Sequence, residues 1–203
     1  MKLYQSPASP YARKVRAVLI EAGLADRVEE VLQAPRENTK GFHKKNPLAR
    51  IPVLETAKGE YLFDSPVICE YLDSFNKKKK LFPAPGAARW RALKLQALGD
   101  GIMDAAVPLR QESIRPDGEK SPEWMARTQA NILRTVDALN AEARAGKLPA
   151  QPSIGTISVA CALGYLDFRF PQLGWRKGRA ALAKWHEAFA KRPSIALTVP
   201  PAA

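Results

Sequence analysis

Cysteine and histidine are scarce, with two of each in 203 residues. Cys69 and Cys161 stand far apart and in no CxxC pairing. That spacing argues against a disulfide framework or a zinc site and fits a reducing, cytoplasmic setting. His43 and His186 form no metal-site or triad arrangement with a cysteine or an acid, so no metal is expected. Long apolar runs are also missing. No stretch approaches the ~18 to 20 apolar residues that a spanning helix needs. The opening MKLYQSPASP has no apolar run ahead of a small-residue cleavage site, so no signal peptide and no membrane partner are expected. Acidic residues fall short of basic ones, 20 against 32, for a net charge of +12. A field of that sign attracts nucleic acid, membrane surfaces or acidic substrates. The bases are scattered, however, and the one dense run, Lys77 to Lys80, has no interleaved aromatics. It reads as a solvated linker, and no nucleic-acid partner is expected.

What is present is a globular composition, 46% hydrophobic and 26% charged, in a chain long enough to bury a core without covalent staples. Lys2-Leu3-Tyr4 opens a strand. Ser6 to Pro10 is a turn cluster, and Val15, Val18, Leu19 and Ala22 then recur at helical spacing up to a closing Gly23. Arg27 to Leu32 suits a second strand, and Arg36 to Lys45 an exposed, irregular helix. Pro52-Val53-Leu54 and Tyr61-Leu62-Phe63 flank Lys58-Gly59-Glu60 as a hairpin. Ser65-Pro66 is a good N-cap and first-turn pair for a helix carrying Val67, Ile68, Tyr71, Leu72 and Phe75. The order is βαβαββα over 1–76, followed by a charged, Pro-rich linker over 77–86. From 87 to 203 only helical patterns remain: Ala88 to Ser113 with a bend near Pro108, Pro122 to Ala145, a central buried helix over Ile154 to Phe170, and Ala180 to Ala190. Ahead of the third of these, Ser153 caps, but Thr156 stands where a capping box wants an acid or amide, so the reciprocal bond is expected to be weak.

Three fragments carry chemistry together: Ser9-Pro10-Tyr11-Ala12-Arg13-Lys14-Val15, Asn46-Pro47-Leu48-Ala49-Arg50-Ile51-Pro52-Val53-Leu54, and Phe63-Asp64-Ser65-Pro66-Val67-Ile68. In this order and spacing the chain resembles the glutathione transferase superfamily. Ala97 to Ala105 and Ala160 to Arg169 extend the likeness into the second half. The resemblance implies an α/β thioredoxin-like glutathione-binding domain joined to an all-α helical domain. It also implies glutathione as cosubstrate, a small hydrophobic electrophile as second substrate, and a homodimer. The implied activity is a detoxifying transfer of glutathione's sulfur to the electrophile, or reduction of disulfides by bound glutathione.

Ser9 sits at the start of the first helix, where unpaired N–H groups and the helix dipole favour an anion. Lowering a thiol pKa from about 8.5 by roughly two units needs about 2.7 kcal/mol. One hydrogen bond to the thiolate supplies about 1.5 to 3 kcal/mol, and the helix end about 0.3 to 1. A hydroxyl plus a helix terminus is therefore sufficient in magnitude, although Ser9 also suits a plain cap. Tyr4 and Tyr11 compete for the hydroxyl role, and Tyr4, early in the first strand as in tyrosine-type members, is the second choice. Some family members carry cysteine at the Ser9 position or the next one, and glutaredoxin relatives carry Cys-Pro-Tyr-Cys; Ser9 and Ala12 replace both thiols in this chain, which weighs against protein-thiol redox chemistry at the helix start. Ile51-Pro52 resembles the family's cis-proline site, which pairs with the cysteinyl part of glutathione. Asp64 and Ser65 resemble the acid–serine pair that takes the γ-glutamyl ammonium and carboxylate. Arg50, Lys40, His43 and Lys45 compete for the glycine carboxylate. The acceptor pocket is expected between the halves, with Met103, Val107, Arg110, Ile114, Tyr165 and Phe168 in its wall; plain helix packing is an equal explanation for each. The alternatives are a non-catalytic ligand-binding or protein-interaction module on the same fold, and a basic nucleic-acid binder supported by charge alone.

Overall fold

The structure, a computed structural model, describes residues 1–34, 41–77 and 80–201. The chain divides into two compact units: Met1–Arg89 with the segment from Pro193, and Trp90–Arg192.

The first unit runs β1 (Lys2–Gln5), α1 (Pro10–Ala22), β2 (Glu29–Leu32), α2 (Phe42–Lys45), β3 (Val53–Glu55), β4 (Tyr61–Leu62) and α3 (Ser65–Ser74), the expected βαβαββα order. The sheet order is β2-β1-β3-β4. β1 and β2 are parallel, as a crossover helix requires; β3 runs antiparallel to β1 and to β4. In register, Leu3 faces Leu54 and Tyr4 faces Val53. Alternation then separates two faces. Leu3 and Leu54 are fully buried. Val53 joins Phe42 and Ile51 in a cluster edged by Tyr4, Tyr61 and Phe63.

α1 begins where Pro10 needs no N–H partner and ends at Gly23 in the left-handed region, φ +68°. It packs against α3, with Val15, Val18, Ile68 and Leu72 fully buried. α1 also holds the chain's C-terminal segment. Arg13 Nη2 donates to the Ile195 carbonyl at 3.1 Å, and Ser194 Oγ to Glu21 at 2.6 Å.

Two parts of the organisation expected from the sequence differ here. The segment from Pro193, included in the expected helical domain over 87–203, packs with the first unit because its backbone and side chains satisfy groups on α1. The stretch after α3 is tied down rather than merely solvated. The buried Asp73 carboxylate accepts from the Leu81 and Phe82 amides at 2.9 and 3.0 Å. Lys80 Nζ donates to the Asp73 and Ser74 carbonyls. Residues 78–79 of the lysine run, and 36–40 of the expected exposed helix, lie outside the described residues.

The second unit is helical: α4 (Ala87–Ser113, starting just before the division), α5 (Pro122–Arg144), α6 (Ile154–Arg169) and α7 (Ala180–Ala190). A four-residue helix, α8 (Pro193–Ala196), follows in the first unit and was not foreseen. α4 continues through Pro108 as one element. α4 and α6 meet at two glycines. A Cβ on Gly99 would lie 2.6 Å from the Ser158 carbonyl carbon, and one on Gly155 2.6 Å from Leu95 Cβ. α6 is buried along most of its length, as its all-round apolar sequence dictates. Its expected weak cap is corrected by the structure. Thr156 Oγ1 accepts from the Ser153 N–H at 2.8 Å while the Thr156 N–H bonds Ser153 Oγ at 3.3 Å, so the box closes in both directions. A hydroxyl suffices because Thr156 is wholly buried and also bonds the Gln151 carbonyl, which pins its oxygen in place.

Candidate functional site

The turn between α2 and β3 is built by Asn46, which is fully buried. Its Nδ2 donates to the Arg50 carbonyl at 2.8 Å, and its Oδ1 accepts from the Leu48 N–H at 3.0 Å. The turn closes with Ala49 at φ +52°, a conformation normally left to glycine or asparagine. Ile51–Pro52 follows and is cis, as the resemblance implied; Phe63–Asp64 is a second cis bond. These segments line one cleft with Asn46, Leu48, Arg50, Ile51, Pro52, Phe63 and Asp64 on its walls.

The structure therefore brings Arg50, Ile51, Pro52 and Asp64 together. Ser65 follows Asp64 at the head of α3, with one difference from expectation. The N-cap is Asp64, whose carboxylate accepts from the Ser65 N–H, and Ser65 is the first helical residue. The helix starts one residue earlier than the serine-cap pattern suggests because the carboxylate takes the capping role. Ser65 Oγ is consequently spare: it is buried and has no hydrogen-bond partner among the described residues. Asp64 itself is exposed. A buried hydroxyl beside an exposed acid at a helix start suits a ligand that carries both an anion and a cation.

Ser9 caps α1. Its Oγ accepts from the Ala12 N–H at 3.2 Å, which uses a lone pair and leaves the hydroxyl proton available for donation. Ser9 is half-buried and is not among the residues lining the cleft.

Tyr4 is engaged elsewhere. Its hydroxyl donates to Glu55 Oε2 at 2.7 Å. Burial, and then the Glu55 hydrogen bond, push its pKa up against the opposing pull of Lys45. Lys45 Nζ donates to Tyr61 Oη at 2.8 Å and lies 4.0 Å from Glu55. The Tyr61 hydrogen bond raises its pKa in spite of its partial burial. Of the cations considered for a carboxylate, Arg50 lines the cleft, Lys45 is held by this cluster, His43 is exposed, and Lys40 lies outside the described residues.

In the helical unit, Met103 has no exposed surface and Tyr165 is 6% exposed, so both contribute chiefly to packing. Val107, Arg110 and Phe168 are half-buried, and Ile114 is exposed. Asn46, Leu48 and Phe63 join the expected residues in the cleft wall, and the Asn46-Pro47 turn pair is the sequence signal for the first. Among the described residues no group of three or more His, Cys, Asp or Glu side chains could hold a metal, and no helix is long and apolar enough to cross a membrane.

Residues 8–74 match the glutathione S-transferase N-terminal domain and 122–188 the C-terminal domain. The chain belongs to the glutathione S-transferase family. An uncharacterised GST-like protein of Escherichia coli, YibF, is 37% identical over the full length of both chains. A glutathione transferase family member from Pseudomonas fluorescens Pf-5, solved with bound glutathione, is 43% identical over 99% of each chain, with a TM-score of 0.94. The same protein has been solved with S-(propanoic acid)-glutathione, at a TM-score of 0.91 and full coverage of both chains. Mouse glutathione S-transferase omega-1 is 36% identical over 84 residues, 41% of this chain and 34% of the mouse protein.

Proposed function

We propose that this protein binds glutathione in the cleft beside Asp64 and transfers its sulfur to small electrophiles, as a cytoplasmic transferase. The observation that carries the reading is Ser65 Oγ, buried without a partner among the described residues at the head of a ten-residue helix. Leaving such a group unpaired costs about 1 to 3 kcal/mol, a cost that a ligand carboxylate removes. Ser65 Oγ and the α3 amides take the γ-glutamyl carboxylate, Asp64 takes the ammonium, and Arg50 takes the glycine carboxylate. Ile51 and Pro52 present the backbone to the cysteinyl part. The thiol sulfur rests at the N-terminus of α1, where the Ser9 hydroxyl donates to the thiolate. The bond from the Tyr4 hydroxyl to Glu55 supports Ser9 over Tyr4 for this role. The thiolate attacks the electrophilic carbon, a C–S bond forms, the leaving group departs with its electron pair, and the thiol proton goes to solvent. The Pseudomonas neighbour holds both glutathione and a sulfur-substituted conjugate, which supports conjugation over disulfide reduction.

Calorimetric titration with glutathione, followed by turnover with a nitro-activated aryl halide and with a model disulfide, tests this reading. Saturable binding with conjugate formation is expected. Binding without turnover of either substrate would make the protein a carrier, and absence of binding would remove the reading altogether. Assembly as a homodimer belongs to the same proposal. Val67 and Phe75, 49% and 42% exposed at α3 and its C-cap, are apolar surface that a second copy would cover. Light scattering coupled to size exclusion checks it.

A further inference from the structure

Four arginines of the helical unit form two contrasting pairs. Arg179, half-buried, is paired with Asp137 through Nε at 2.6 Å and Nη2 at 3.1 Å. Arg176 is paired with Asp167. Arg110 and Arg169 are also half-buried, yet neither meets a carboxylate among the described residues. Arg110 Nη1 reaches only Ser113 Oγ, at 3.3 Å. The Arg169 guanidinium lies 3.8 Å from the centre of the Phe168 ring.

Their placement is not independent. Gly155 meets Ala92 and Leu95, and Gly99 meets Ser158 and Val159, so α4 and α6 run alongside one another in the same direction. Eleven residues beyond Gly99 stands Arg110, and eleven beyond Ser158 stands Arg169. Eleven residues is about three helical turns, so each arginine returns to the side of its helix that carries the α4/α6 contact, at matching heights. Tyr165 stands one turn before Arg169 on the same face. Burial raises the Tyr165 pKa, while the Arg169 and Arg110 guanidiniums pull it down, as both must if they approach its hydroxyl.

We propose that Arg110 and Arg169, converging beside Tyr165, bind a carboxylate of the electrophile, so that the preferred acceptor is an anionic, carboxylate-bearing molecule. This rests on the transferase reading above and narrows its substrate class. A planar guanidinium fork matches a carboxylate in two parallel hydrogen bonds, and stacking on Phe168 holds one fork in place before the ligand arrives. Both arginines lie in the last turns of their helices. The helix ends carry about half a negative charge each, against a full positive charge on each guanidinium, so the site stays cationic.

The test compares a chlorodinitrobenzoate with the corresponding chlorodinitrobenzamide. The two share ring activation and leaving group and differ in one negative charge. In each reaction the glutathione sulfur bonds to the ring carbon, chloride leaves with its electron pair, and the thiol proton passes to solvent. The wild-type protein is expected to favour the benzoate in kcat/KM by about tenfold or more, and Arg110→Gln with Arg169→Gln to bring that ratio near one. Arg169→Lys, which keeps the charge and loses the fork, should fall between; it also serves should the double variant fail to fold. A ratio near one in the wild type, or a ratio unmoved by these substitutions, overturns the proposal. If neither electrophile is consumed, the transferase reading fails. Calorimetry with dinitrobenzoate and dinitrobenzamide, which have no leaving group, then decides the site alone: preferential benzoate binding lost in the double variant supports it, and equal binding of the two overturns it.

Discussion

α1 and α3 start alike, each with a polar residue just ahead of a proline, Ser9-Pro10 and Asp64-Ser65-Pro66, yet they use their hydroxyls in opposite ways. At α1 the serine is the cap, and its oxygen holds the Ala12 N–H. At α3 the aspartate is the cap, and the serine oxygen is buried with no hydrogen-bond partner among the described residues. The first arrangement is structurally complete without a ligand, and the second is not. A capping serine can add a ligand role through its spare proton, whereas a spare buried serine is destabilising until something binds it.

Substitutions at these two positions sharpen that contrast. The largest effect is expected from Ser9→Ala. Loss of a hydrogen bond to a thiolate corresponds to about ten- to a hundredfold in kcat, with little change in KM for glutathione. Loss of the cap adds about 1 kcal/mol of destabilisation, read by denaturant titration. Equal loss in kcat and affinity would remove Ser9 from the chemistry. Ser65→Ala should behave in reverse. KM for glutathione rises about tenfold, while the unliganded protein keeps or gains stability because no internal bond is broken. A variant that is both less stable and unaltered in KM would break the comparison.

A control in the helical unit should affect stability alone. Asp167 bonds Trp175 Nε1 at 2.7 Å and pairs with Arg176. Burial raises its pKa, but the Arg176 and Trp175 hydrogen bonds outweigh that and hold it below the usual carboxylate range. A depressed carboxylate contributes stability above its unfolded pKa of about 3.9, and that contribution is lost as pH falls through the lower folded value. Tm should therefore decline below about pH 4, and Asp167→Asn should flatten that part of the profile; an unchanged profile would contradict it. The smallest effect belongs to Ala49→Gly. At φ +52° an alanine is strained, and glycine relieves this at the cost of added freedom in the unfolded chain. The expected net gain is below about 1 kcal/mol, seen as a small rise in Tm; a fall in Tm would contradict it.

The sequence carried the fold wherever local chemistry decides it. Pro10 and Gly23 bracket α1, the Lys58-Gly59-Glu60 turn marks the hairpin, and the unbroken apolar run of α6 marks a buried helix. Two of the three fragments, the one from Asn46 and the one from Phe63, meet at one cleft, and each combines a proline with a polar residue in a fixed order. What stayed hidden depends on partners distant in sequence. The segment from Pro193 docks on α1 through Arg13 and Glu21, more than 170 residues away. The choice of Asp64 over Ser65 as cap, and the closure of the Ser153–Thr156 box, turn on side-chain geometry that residue types leave open. Residue types also leave hidden that the Tyr4 hydroxyl donates to Glu55, 51 residues away.

In the proposed site the α1 terminus and the Ser9 hydroxyl stabilise the thiolate of bound glutathione. Titrating the ultraviolet thiolate absorbance of the glutathione complex against pH measures this directly in the wild-type protein and in Ser9→Ala. A thiol pKa well below the free value of about 8.5 is expected in the wild type, with a shift back toward it when the hydroxyl is removed. A bound thiol that titrates at its free value, or one whose depressed pKa is indifferent to Ser9, would contradict it.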